Sequence, residues 1–119
     1  ILAAQDEQKS VYCHPALEES IVSIVRATRT HPAFHLGVSP RGGLHFLHAA
    51  RTLALVRGRE WIEDQDIADI AVPILAHRIT PKNIRTDIDS VILEITSDTL
   101  RKTEKKTDWS KDITADEAV

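Results

Sequence analysis

The apolar positions of the chain fall into four stretches with helical spacing, and the breaks between them carry capping and turn residues. From Pro15, the series Leu17, Ile21, Ile24, Val25 and Thr28 follows the i, i+4, i+7, i+8 rule. Glu18 and Glu19 stand near its start and Arg26 and Arg29 near its end, where the helix dipole favours each sign. This predicts a first helix over 15–30, stopped by His31-Pro32. Residues 33–38, which include Gly37, read as a loop. Ser39-Pro40 then signals a second start, because serine can accept from free amides and proline at the first helical position loses no intrahelical bond. The second helix is predicted over 40–57. Leu44, Phe46, Leu47, Ala50, Leu53, Ala54 and Val56 cover more than half of its circumference, which makes it the expected central helix. Its polar stripe is narrow: at about 100° per residue, Arg41, His45, His48 and Thr52 fall on one line that must face water or a partner.

Gly58 ends that helix, Trp61-Ile62 reads as a short extended bridge, and Glu63-Asp64 opens a third helix whose first turn Asp66 can cap. Ile67, Ile70, Ala71, Ile74 and Leu75 supply its buried stripe, with Pro73 expected to kink it or free one carbonyl. A loop containing Pro81 leads to a fourth pattern, Ile88, Val91, Ile92, Ile95 and Thr99, over about 88–102. Residues 1–13 read as a connector with Val11 and Tyr12 in a short extended piece. Residues 104–119, charged and without apolar periodicity, read as a disordered tail. The expected organisation is therefore a helical domain over 14–103. Its fold class is all-α, a small bundle of about four helices with at most a short extended bridge.

Composition narrows the function classes. The chain has 119 residues, enough for one domain and one core, and its few aromatics and four glycines suit helices better than a β-sandwich. Fifteen basic against eighteen acidic residues give a net charge of −3, so there is no general electrostatic reason to bind nucleic acid or an anionic membrane. No apolar run approaches the length of a spanning helix, so no membrane insertion is expected. The single cysteine, Cys13, cannot form an internal disulfide, and the cytoplasm is the expected compartment. The chain opens on Ile1 rather than Met, which reads as a segment of a longer polypeptide or a chain processed at its start.

Few residues offer chemistry. Cys13 stands beside His14, but sequence neighbours seldom point at each other, and an inert buried cysteine is the expectation. Six histidines include His45 and His48 at i, i+3, yet no Cys, Asp or Glu completes a metal set on that helix face. Asp64, Asp66 and Asp69 are accounted for by helix capping and solvation. Neither G-x-x-x-x-G-K-[ST] nor G-x-G-x-x-G occurs, so the chain cannot cradle a triphosphate by itself. Arg41 stands apart. It sits in the first turn of a helix, where a cation is disfavoured by about 0.3–1 kcal/mol, and Gly42 and Gly43 follow at once. A guanidinium, free amides and two small residues describe a surface that could meet a phosphate or an acidic partner closely, with an ordinary solvated arginine as the alternative.

The stretch from Ile21 to Ile79 resembles the C-terminal lid of MoxR-type AAA+ ATPases. The matching text is I-V-S-I-V-R-A-T-R-T-H-P, then L-G-V-S-P-R-G-G-L, then A-A-R-T-L-A-L-V-R-G-R-E-W-I, then D-Q-D-I and L-A-H-R-I. In that family S-P-R-G carries the sensor 2 arginine, which reaches from the lid to the γ-phosphate of ATP held in the preceding α/β domain. The resemblance implies that Arg41 has this role and that Pro40 borders the nucleotide cleft. It also implies ATP as cofactor, with magnesium supplied through the core domain. The implied partners are that core domain, neighbouring subunits of a ring oligomer such as a hexamer, and client proteins, often with von Willebrand A domains, matured by a chaperone-like activity. Walker A, Walker B, sensor 1 and the arginine finger are absent from the chain, so it should not hydrolyse ATP alone. Ile62-Glu63-Asp64 departs from the family's usual Val/Ile-Thr-Pro, a change confined to helix capping. The rival expectation is a stand-alone, histone-fold-like dimerising module. A DNA-binding version lacks the basic face it needs, since residues 1–79 hold eight basic and nine acidic side chains.

Overall fold

In the structure, a computed structural model that describes residues 10–106 and side chains as far as Thr103, the first helix starts on a histidine cap. His14 Nδ1 accepts the amide of Ala16 at 3.0 Å and Pro15 takes the first helical position, so α1 spans Pro15–Thr30 as the spacing predicts. Helix α2 spans Pro40–Val56, α3 Asp64–Leu75 and α4 Ile88–Lys106. The all-α expectation holds, with helix periodicity and caps placing every start within a residue.

The C-terminus of α2 shows why the chain turns there. Gly58 adopts φ 79°, its amide donates to the Leu55 carbonyl, and the Arg59 amide donates to Ala54, the paired bonds of a Schellman close. The next residues run extended through Trp61 and pair in parallel with Tyr12. The Tyr12 amide donates to Glu60 O at 2.8 Å, and Ile62 N donates to Tyr12 O at 2.9 Å. The two extended pieces read from sequence are thus partners, and they carry Val11, Cys13 and Ile62 into the core.

Two expectations need correction. Residues 33–38 are not all loop: Phe34–Leu36 forms strand β1, which pairs antiparallel with β2, Thr80–Pro81. Lys82 N extends the contact to Ala33 O, and Phe34 is buried beneath it. Local spacing hides this ribbon because one strand has three residues and the other ends in proline. Nor is α2 the central helix. α1 and α3 each pack on both α2 and α4, so the four helices close a ring, and contact across the diagonals is weak. Leu44 and Val56 of α2 are 57% and 77% exposed, and its buried residues are the single row Gly42, Phe46, Ala50 and Ala54. Three of those four are small, which lets α2 approach its neighbours closely and shifts the bulk of the core to Leu17, Ile21, Ile24, Ile67, Leu75 and Ile92. Burying each of these larger side chains contributes about 1.5–3 kcal/mol.

Pro73 lies on the exposed side of α3. Its missing amide leaves the Asp69 carbonyl without an i→i−4 donor, and after Leu75 the chain passes into a 3-10 turn over Ala76–Arg78, which leads into β2. α4 runs four residues past the predicted 102, and just beyond that point the Thr103 hydroxyl bonds Ser20 of α1. The expected disordered tail falls, from residue 107 on, outside the described residues.

Candidate functional site at the start of α2

Three separated pieces of sequence meet at the first turn of α2. The first is Thr28 of α1, whose Oγ1 donates to the Val25 carbonyl at 2.6 Å and accepts the amide of Val38 at 3.0 Å. Thr28 is fully buried, so this pair pins the approach to α2 inside the protein. The second is Gly37, which crosses the α1 backbone so closely that a Cβ there would stand 2.4 Å from the Thr28 carbonyl oxygen. Only a residue without a side chain fits. Ser39 then caps α2, its Oγ accepting the Gly42 amide at 3.2 Å.

The third piece is Arg78, from the 3-10 turn after α3. Its Nε donates to the Ile74 carbonyl at 3.2 Å, its Nη2 stands 2.7 Å from His45 Nδ1, and its Cδ lies 3.3 Å from where a Gly42 Cβ would be. A guanidinium has no acceptor, so His45 Nδ1 must carry the lone pair and the imidazole proton sits on Nε2. The sequence had placed His45 on the polar stripe but offered no partner for it; an arginine 33 residues away has no local signal.

The structure separates the features grouped by sequence around Arg41. Arg41, His45, His48 and Thr52 are all exposed, as the stripe predicts. The glycines behave otherwise. Gly42 is buried, and a Cβ there would meet Val38 Cγ1 at 2.5 Å; Gly43 faces Val25 of α1 at 3.4 Å. Gly42 therefore serves packing against Val38, and Gly43 the approach of α1 to α2. The amides are also fewer than expected: Pro40 has none, Gly42 is capped, and Gly43 donates to Ser39 O at 3.1 Å. What remains on the surface is the Arg41 side chain, which has no hydrogen bond or ion pair to any described residue. No carboxylate stands in the first turn of α2.

Beside this turn, α1 and α2 enclose a groove of about 310 Å³. Ile21, Val25 and Arg26 of α1 and Pro40, Gly43 and Leu44 of α2 are among the residues that line it. Pro40 lines this groove, whereas Arg41, the next residue, is exposed and is not among the groove's lining residues.

The remaining candidates have other roles. Cys13 is buried, and its thiol is pushed up to about 11, chiefly by burial, with the Glu18 carboxylate adding and Arg51 opposing. A thiol so held is a poor nucleophile. Among the described residues no group of three or more His, Cys, Asp or Glu side chains is placed to hold a metal ion. Asp66 caps α3 as expected, accepting the Glu63 amide at 2.8 Å, but it is also the buried anchor of Arg57 and Arg59, at 3.0 and 2.6 Å. Asp69 holds the other end of Arg57 at 2.7 Å, and that guanidinium, with the Gln65 amide, keeps the Asp69 carboxyl below the usual carboxylate range.

Comparison with known proteins places this architecture. The AAA lid domain family matches residues 26–95, more than half of the chain. The protein YeaC of Bacillus subtilis is 40% identical over 75 residues, covering 63% of this chain and 23% of its own length. Chaperone MoxR1 of Mycobacterium tuberculosis is 34% identical over 88 residues, covering 66% of this chain and 23% of its own. Protein MoxR of Paracoccus denitrificans is 33% identical over 85 residues, covering 60% and 25%. The chain thus spans about a quarter of the length of these relatives. The crystal structure of a candidate ATPase from Cytophaga hutchinsonii superposes with a TM-score of 0.66 and 26% identity, covering 82% of this chain and 32% of the other. Among the described residues no helix is long and apolar enough to cross a membrane. With the four-helix ring, the S-P-R-G turn and the family match in agreement, the chain belongs to the AAA lid domain family and is a lid of the MoxR type.

Proposed function

We propose that this lid serves an ATP-driven MoxR-type machine in which Arg41 is the sensor for the terminal phosphate of ATP bound in an α/β domain outside the chain. The observation that carries this reading is the state of Arg41. It is exposed and unpaired among the described residues, it stands where the helix dipole opposes a cation, and it is mounted on a turn fixed from three directions. A side chain kept in an unfavourable position without an internal partner has its partner elsewhere, and a phosphate oxygen suits a guanidinium. Pro40, which lines the groove, borders the nucleotide. The surface fits an anion and not a cation, since the first turn of α2 holds no carboxylate; magnesium belongs with the core domain.

In this reading ATP supplies the hydrolysable phosphate, and the lid's own residues supply the sensing contact. Residues 1–13 connect to the core, 14–103 form the lid, and subunits assemble into a cytoplasmic ring. Loss of the Arg41–phosphate contact after hydrolysis lets lid and core change angle, and that rotation drives work on partner proteins. The name Chaperone MoxR1 supports such a client-directed role, with von Willebrand A domain proteins as the client class to test. The experiment is Arg41→Ala in the complete ATPase. Losing a charge-assisted phosphate contact should lower turnover roughly tenfold to a hundredfold. Wild-type steady-state turnover in a folded mutant would defeat the assignment.

A further inference from the structure

Arg78 is absorbed by neither the core nor the sensor assignment, yet it touches the sensor turn at two points. Its stem lies against Gly42, the residue after Arg41, and its Nη2 bonds His45, one helical turn beyond Arg41 on the same face. Its other bond, Nε to the Ile74 carbonyl, anchors it to the last turn of α3. One side chain therefore braces the start of α2 against the end of α3, and it has no carboxylate partner among the described residues that would assign it an ordinary ion-pair role. Gly42 suits the brace, because a Cβ there would crowd the Arg78 stem at 3.3 Å.

Resting on the sensor reading of Arg41, we infer that Arg78 is its positioning residue: through His45 and Gly42 it fixes the angle at which the first turn of α2 presents Arg41 to the nucleotide phosphate. The requirement is geometric. A sensing contact depends on placement to within a fraction of an ångström; the Thr28–Val38 bond and the Ser39 cap fix the turn against α1, and Arg78 is what ties it to α3. His45 contributes as an acceptor at Nδ1, which leaves its Nε2–H as a donor on the Arg41 face. Near the first turn, Arg41, Arg78 and the Nε2–H of His45 thereby supply cations and donors, the chemistry a polyphosphate chain selects.

A double-mutant cycle on steady-state ATP turnover in the complete ATPase tests the role. The variants are Arg41→Ala, Arg78→Met and the pair, with Arg78→Met chosen because it keeps an unbranched stem against Gly42 and removes every guanidinium donor. Arg78→Met should lower kcat about three- to tenfold with the KM for ATP changed less than twofold, while the pair should be no worse than Arg41→Ala alone within about twofold. His45→Ala should follow Arg78→Met, and His45→Gln, whose side-chain carbonyl can still accept from Arg78, should lose less than His45→Ala. Amide hydrogen exchange in the 119-residue chain provides a readout independent of ATP: Gly42 and Gly43 should exchange faster in Arg78→Met while the amides of α4 stay as in wild type. Independent, multiplying losses in the pair would make Arg78 merely structural and overturn the inference. Wild-type turnover in Arg78→Met beside a defective Arg41→Ala would overturn it while leaving the sensor reading intact. Wild-type turnover in Arg41→Ala would remove the sensor reading and this inference with it. Unchanged Gly42 and Gly43 exchange in Arg78→Met would overturn the brace on its own.

Discussion

The two ends of α2 use arginine in opposite ways. At the C-terminal end, Arg57 and Arg59 converge on Asp66, a carboxylate with no exposed surface, and Asp69 takes the outer nitrogen of Arg57. The dipole favours cations there, and the carboxylate is satisfied on both oxygens, including by the Glu63 amide. At the N-terminal end, Arg41 faces the unfavourable pole with no carboxylate in the turn, and Arg78 pairs only with neutral acceptors. Charge that closes on itself inside a protein joins α2 to α3. Charge left open at a rigid turn is available to something outside the domain.

The largest expected effect attacks the closed end. Asp66→Ala leaves two arginines facing a buried site without their anion and should cost about 3–5 kcal/mol, read by urea denaturation. A loss under about 1 kcal/mol would mean that the cluster is not what fixes the α2–α3 corner. The next contrast separates two adjacent glycines at the open end. Gly42→Ala forces a methyl to within 2.5 Å of Val38 Cγ1 and should cost about 1–3 kcal/mol. Gly43→Ala meets Val25 at 3.4 Å and gains helix propensity, so it should be neutral or stabilising by up to about 1 kcal/mol. Equal melting shifts for the two would contradict the inward placement of Gly42.

Smaller effects sharpen the comparison. The folded Asp69 carboxyl lies below its ordinary value of 3.8, so its contribution is present above about pH 4 and is lost as pH falls through the lower folded value. Asp69→Asn should therefore lower stability near neutrality by under about 1 kcal/mol, the range of half-exposed pairs, and the gap from wild type should close on acidification below pH 4. Smallest of all, Arg41→Ala should leave thermal stability within about 0.5 kcal/mol of wild type or raise it slightly, because the truncation removes a dipole conflict and no contact. A melting temperature well below wild type would class Arg41 with Arg57 and Arg59 as structural.

Much of this was legible in the sequence for a definite reason. Helix period, Pro15 and Pro40 at first positions, the Ser39 cap and Gly58 at the close are local signals, each decided by residues within about four positions of one another. They placed four helices, the exposed stripe through Arg41, and the motif blocks that resemble the lid family. Spacing also identified Asp66 as a cap. It could not show that the same carboxylate gathers Arg57 and Arg59, because one side chain can satisfy several donors only when a fold brings them together.

The chain by itself determined where the helices begin, that each carries an apolar face, and that Arg41 occupies an electrostatically unfavourable turn. Tertiary structure alone decided that Gly42 and Gly43 face inward, that Phe34–Leu36 pairs with Thr80–Pro81, and that Arg78 reaches His45 and the turn bearing Arg41. The division has a physical cause. Periodicity and capping are properties of the backbone within a few residues, whereas contacts between positions tens of residues apart exist only after the helices have packed, and no local pattern is required of the residues that make them.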